Sequence, residues 1–185
     1  MNLRKIDCRF NDMRNFRSFY PLINALVFII FLFLVVTFLH RQGYGLTYSS
    51  TASMPKGFYL IIHSDDFKRN DIVEFKPPNE VQAFVAEQHW APKSGLLLKH
   101  VMGVPGDFVC NSGGSILVNH QKVGSVYEFY APNKKLPKRS FCTVLQQNQY
   151  LLLSDSIERS FDSRYFGPVD KGNIIGKSVF YIEIL

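Results

Sequence analysis

The sequence predicts a mainly β domain behind one N-terminal transmembrane helix, and three observations carry that prediction. Residues 21–39 form an apolar run without a formal charge. From residue 57 onward, short β-branched, leucine-rich and aromatic runs alternate with turn formers. In that later region only residues 80–89 have helical spacing. With 185 residues, 46% hydrophobic and 19% charged, the chain can bury one core but has little room for two full-sized domains. Its 17 Phe and 9 Tyr argue against disorder, and three cysteines exclude a disulfide-dense miniprotein.

The first element is a tail over residues 1–19 in which Arg4, Lys5, Arg9, Arg14 and Arg17 outnumber the acidic Asp7 and Asp12. Residues 20–39 follow as the membrane span, because about 20 apolar residues rising 1.5 Å each cross a hydrocarbon core of roughly 30 Å. A cleaved signal peptide would have an apolar region of only about 7 to 15 residues and a small-residue cleavage site. Here the run ends in Phe38-Leu39-His40-Arg41. An excess of Lys and Arg stays cytoplasmic, so the tail is expected inside a bacterial inner membrane, with residues 42–185 a periplasmic β domain. The net charge of +6 belongs in half to the tail, so no nucleic-acid partner is expected.

Within the exported part, strands are expected at residues 57–63, 71–75, 95–102, 108–110, 115–119, 149–154 and 174–184, separated by turn formers at 77–79, 103–107 and 111–114. The helix at 80–89 places Val81, Phe84 and Val85 near one face, and residues 131–139 (APNKKLPKR) read as an exposed basic loop. Cys110 and Cys142 fall in the exported domain and Cys8 in the tail, so only the later pair meets an oxidising compartment. They are the disulfide candidate, with two buried free thiols as the alternative.

No Cys-x-x-Cys, no histidine pair at metal-ligand spacing, no P-loop and no Gly-x-Ser-x-Gly is present, so metal and cofactor readings start low. Lys99 is the unusual residue. Strand alternation puts it on one face with Leu97 and Val101, and Leu96, Leu98, His100 and Met102 on the other. An edge lysine that snorkels to water is the ordinary explanation. A desolvated lysine, its pKa brought down toward 7 to 8, is instead a base. Such a base needs a nucleophile, and Ser53 lies on an irregular segment where Pro55 and Gly57 set a turn before a strand. Met54 and residues 58–62 would then form an apolar lip and a shallow pocket for a small side chain.

Taken together these segments resemble the Ser/Lys signal peptidase family. Ser53-Met54-Pro55 looks like its nucleophile box and Asp71-Ile72-Val73 like the following strand. Residues 99–107 (KHVMGVPGD) look like its lysine box and residues 160–169 (SFDSRYFGPV) like its carboxy-terminal box. The compact Ser53-x-Pro55-x-Gly57-x-Tyr59 form and the spelling of the last box look like the conjugative-transfer, pilin-processing branch rather than the housekeeping leader peptidases. The resemblance implies a serine endopeptidase without metal or cofactor, with Ser53 as nucleophile and Lys99 as base. It implies an oxyanion hole from the Ser53 N–H and the Thr51 hydroxyl, Ser160 orienting the lysine, and Asp162 with Arg164 as a bracing ion pair. Expected partners are the membrane, a pilin or other exported precursor as substrate, and conjugation or type IV secretion components. One departure is visible: Ser154-Asp155-Ser156 stands where leader peptidases carry Gly-Asp-Asn. The competing readings are a general leader peptidase and a non-catalytic tethered scaffold of a secretion machine.

Overall fold

A computed structural model describes residues 8–92, 94–137, 139–155 and 157–184, with side chains from Phe19 onward. Arg4, Lys5, Lys138 and Ser156 lie outside these residues. The chain divides into two compact units, one ending at Gly43 and one beginning at Tyr44.

The first unit is a single helix, α1 (Cys8–Arg41), with Pro21 inside it, so helix already begins within the sequence-predicted tail. Residues 8–20 hold neither glycine nor proline to stop it. Its Phe19–Arg41 stretch is long and apolar enough to cross a membrane.

The second unit is mainly β. In chain order it comprises β1 (Tyr44–Ser49), β2 (Gly57–Ile62), β3 (Ile72–Phe75), α2 (Asn79–Glu87), β4 (Leu97–Gly103), β5 (Phe108–Ser112), β6 (Ser115–Val118) and β7 (Gln121–Ser125). There follow β8 (Phe129–Ala131), β9 (Lys134–Lys135), β10 (Phe141–Val144), β11 (Gln149–Leu153), α3 (Ser163–Phe166), β12 (Val169–Asp170) and β13 (Ile174–Glu183). Seven strands form the main antiparallel sheet in the order β1-β2-β13-β3-β4-β11-β12. The strand that carries Lys99 is therefore interior, hydrogen-bonded to β3 on one side and β11 on the other, and Lys99 faces Val73 across the ladder.

Alternation along β4 sorts its side chains as the sequence predicts. Leu97 and Val101 join the main core with Val73, Phe75, Leu152, Phe161 and Val169. Leu98 instead packs on the other face with Met54, Tyr59 and Ile61. Lys99 thus enters the apolar side of its sheet, an environment that disfavours an ammonium ion.

A second sheet, β10-β5-β6-β7, is built on the β5–β6 hairpin, whose turn uses Gly113 (φ 59°) and Gly114 (φ 76°) in the left-handed region that glycine tolerates. Cys110 and Cys142 are directly opposite in the β5–β10 pairing and are disulfide-bonded. Residues 131–139 depart from the expected open loop. Lys134–Lys135 pairs with Phe129–Ala131 as a small hairpin around Pro132-Asn133, with Asn133 at φ 60°, and Leu136 is buried. Proline followed by a left-handed asparagine is a turn signal that the run of lysines obscured.

Candidate active site

Ser53 sits in the turn between β1 and β2, and three contacts hold that turn. The buried Met54 side chain anchors it in the small core beneath. Tyr59 Oη donates to the Pro55 carbonyl at 2.7 Å. Ser154 Oγ donates to the Ser53 carbonyl itself at 2.5 Å. Burial pushes the Tyr59 phenol up to about 12, with the nearby Tyr181, Glu183 and Asp155 adding to it, so this donor keeps its proton.

Lys99 Nζ reaches the same hydroxyl from β4. It lies 2.8 Å from Ser53 Oγ and 3.0 Å from the Leu98 carbonyl, and the residue is only 2% exposed. Thr51 Oγ1 is 3.1 Å from Ser53 Oγ. Burial brings the lysine down to about 8, with Asp162 pulling it up and Arg164 pushing it further down. Desolvation outweighs the attractive carboxylate because that carboxylate is already engaged.

Asp162 is fully buried and accepts from Arg164 Nε at 2.9 Å, Arg164 Nη2 at 3.0 Å, the Arg164 N–H at 3.2 Å and the Ser154 N–H at 3.0 Å. It is also the N-cap of α3, where a side-chain acceptor satisfies one of the free N–H groups of the first turn. Arg164 in turn donates to the carbonyls of Ser154 (2.8 Å), Ser125 (3.5 Å) and Glu158, and its own carbonyl accepts from Asn111 Nδ2 at 2.6 Å. A bidentate carboxylate with filled lone pairs and a guanidinium with several acceptors are what two buried charges require.

A cavity of about 200 Å³ opens beside Ser53 and Lys99. Thr51 and Ser160 line it too, while Asp162 and Arg164 stand behind it. The geometry differs from the sequence expectations in two places. Ser160 Oγ is buried without a hydrogen-bond partner, so the lysine is oriented by the Leu98 carbonyl rather than by Ser160. The expected pocket of Met54 and residues 58–62 is not the cavity: Met54 and Ile61 are core, and the walls are Val85 and Trp90 from α2 and its exit, Leu97, Tyr130, Leu136, Ile157 and Phe161. Trp90 and Tyr130 meet edge to face at 4.9 Å. These wall residues come from α2, β4, β8 and the loops between elements, and only the spacing of α2 hinted at them. Ser154, left without a role by the sequence, holds the Ser53 carbonyl. Among the described residues no cluster of His, Cys, Asp and Glu is placed to hold a metal ion.

The site thus holds a serine hydroxyl against a buried lysine amine at the mouth of an apolar cavity. The chain belongs to the signal peptidase family, peptidase S26, whose model matches residues 19–183. It is 30% identical over 122 residues to a signal peptidase I of Leptolyngbya laminosa, covering 63% of this chain and 53% of that protein. It is 28% identical over 134 residues to the plasmid transfer protein TraF of Escherichia coli, covering 71% of this chain and 72% of TraF. A signal peptidase IB of Staphylococcus aureus is 33% identical over 106 residues, 49% of this chain and 54% of that one. The chain thus spans about half the length of the signal peptidases it matches.

Proposed function

We propose that this chain is a membrane-anchored serine endopeptidase that cleaves an exported precursor, and that its substrate is a conjugative pilin precursor. The observation that carries the proposal is the 2.8 Å contact between the buried Lys99 Nζ and Ser53 Oγ at the cavity mouth. In this reading neutral Lys99 takes the Ser53 hydroxyl proton as Oγ attacks the scissile carbonyl, and returns a proton to the leaving amine as the acyl-enzyme forms. The Ser53 N–H and the Thr51 hydroxyl receive the charge that develops on the carbonyl oxygen. The apolar cavity binds side chains of the cleaved segment. The five basic residues before Pro21 support a cytoplasmic N-terminus and a catalytic unit on the exported side of the inner membrane. The choice of a pilin precursor is supported by the match to TraF, a plasmid transfer protein, over more of its length than the signal peptidases.

The test is mass spectrometry of precursors incubated with the purified full chain in detergent. The pilin precursor is expected to be cut once, near its membrane segment, while a panel of unrelated exported precursors stays intact. Equal cleavage of the whole panel would establish a general leader peptidase instead. The pH dependence is a second check. A lysine brought down to about 8 by burial is charged and inactive as a base below that pH. kcat/KM should therefore rise about tenfold per pH unit up to about 8 and level off above it. A profile flat from pH 6 to 9 would remove Lys99 as the base.

A further inference from the structure

His100 follows Lys99 on β4 and points to the opposite face of the sheet, away from the cavity. Its backbone is held on both sides, opposite Ile72 of β3 and opposite Leu153 of β11. Its Nε2 lies 3.2 Å from Oδ1 of Asp155, two residues beyond Leu153. The residue between them, Ser154, is the one whose hydroxyl grips the Ser53 carbonyl. One side-chain contact therefore ties the strand that presents the amine to the segment that holds the nucleophile. Asp155 has a further link to that nucleophile. Its charge acts on Tyr59, the phenol that pins the Pro55 carbonyl two residues beyond Ser53.

We propose that His100 and Asp155 are positioning residues, a clasp on the far face of the sheet that fixes Lys99 Nζ against Ser53 Oγ, and this rests on the proteolytic reading given above. Neither touches the cavity. Asp155 is 56% exposed, so a pair of this kind contributes little to global stability. Its effect lies in geometry, where a misplacement of about 1 Å between reacting groups costs up to about 100-fold in rate. A loosened clasp also lets water reach the amine. The charges acting on Lys99 are Asp162, from the loop before α3, and Arg164, on α3, and they act on it in opposite directions. Rehydration alone would then return the lysine toward its ordinary range.

The experiment compares wild type with His100→Gln, Asp155→Asn and the double variant, each as the full chain in detergent with Ser53→Ala as the inactive control. Each single change is expected to lower kcat about 10- to 100-fold with KM within about twofold and Tm close to wild type. The double variant should be no worse than the poorer single one. The acid limb of the rate profile should move to higher pH, and the Lys99 titration, followed by NMR of ε-carbon-labelled lysine, should move with it. Wild-type kcat in both single variants would overturn the clasp. So would additive losses, or losses matched by a fall in Tm with the acid limb unmoved. The titration separates this failure from that of the wider reading. If wild type cleaves nothing yet the Lys99 titration still shifts in both variants, the clasp stands and the proteolytic reading falls.

Discussion

Lys99→Arg is expected to abolish cleavage as completely as Ser53→Ala, lowering kcat/KM on the order of 10⁴-fold or more. The two cationic side chains differ in the one property the proposed chemistry needs. Burial brings the lysine amine to about 8, within reach of neutrality, whereas a guanidinium does not give up its proton in a protein. Arginine is also too long for the 2.8 Å contact that the lysine makes from the middle of β4. Lys99→Met separates charge from chemistry. It places an apolar side chain of similar length in an apolar site, so Tm should hold or rise while activity is lost. The losses should not add in a Ser53→Ala/Lys99→Met double variant, because the two groups act as one unit. Cleavage rates on a purified precursor and thermal melts of the same samples decide it. Substantial activity in Lys99→Arg would return the search for the base to the histidines.

The second large effect is on stability. Arg164→Met should destabilise the β unit by about 3–5 kcal/mol, because it leaves the fully buried Asp162 carboxylate without its counter-charge. It also strips donors from the carbonyls of Ser154, Glu158 and Ser125 at once. For a unit of this size the loss corresponds to a Tm fall on the order of 10 °C. Asp162→Asn should be costly for the mirror-image reason, the guanidinium then being the unpaired charge. Removing both together, as Asp162→Asn with Arg164→Met, should cost less than the sum. Calorimetry reads this directly, and a Tm within about 2 °C of wild type for Arg164→Met would show that the brace is dispensable.

Much of this arrangement is legible in the sequence where side-chain pattern and burial agree. β4 is the clearest case, since its alternation puts Lys99 with Leu97 and Val101 and the structure places it in that core. β1 shows why other elements escape notice. Tyr44, Leu46 and Tyr48 alternate with Gly45, Thr47 and Ser49, yet the aromatic and leucine side chains face outward and Ser49 is the buried one. The end of β13 goes further, with Val179, Phe180, Tyr181 and Ile182 exposed on both faces. A reading that equates apolar with inward assigns such strands no face. The cavity was illegible for a different reason. Trp90, Tyr130, Leu136 and Ile157 come from segments with no period of their own, and only tertiary folding brings them together. Ser160 was assigned by resemblance a hydrogen bond that the backbone carbonyl of Leu98 makes instead. Ser154 stood out only as a departure from the family's Gly-Asp-Asn, and its part stayed hidden because it depends on a carbonyl about a hundred residues away.

That last contact sets the order in which the site is assembled during synthesis. A nascent chain emerges with Ser53 first, Lys99 next and the segment from Ser154 to Arg164 after both. At about 5–20 residues per second the interval is several seconds. Until then the Ser53 turn lacks the Ser154 hydroxyl that holds its carbonyl, and the Ser154 N–H has yet to meet Asp162. On the proposed reading the Ser53–Lys99 pair is thus completed only once that segment has folded against it. On that reading a ribosome stalled before residue 154 leaves a fragment that holds Ser53 and Lys99 without the contacts that position them.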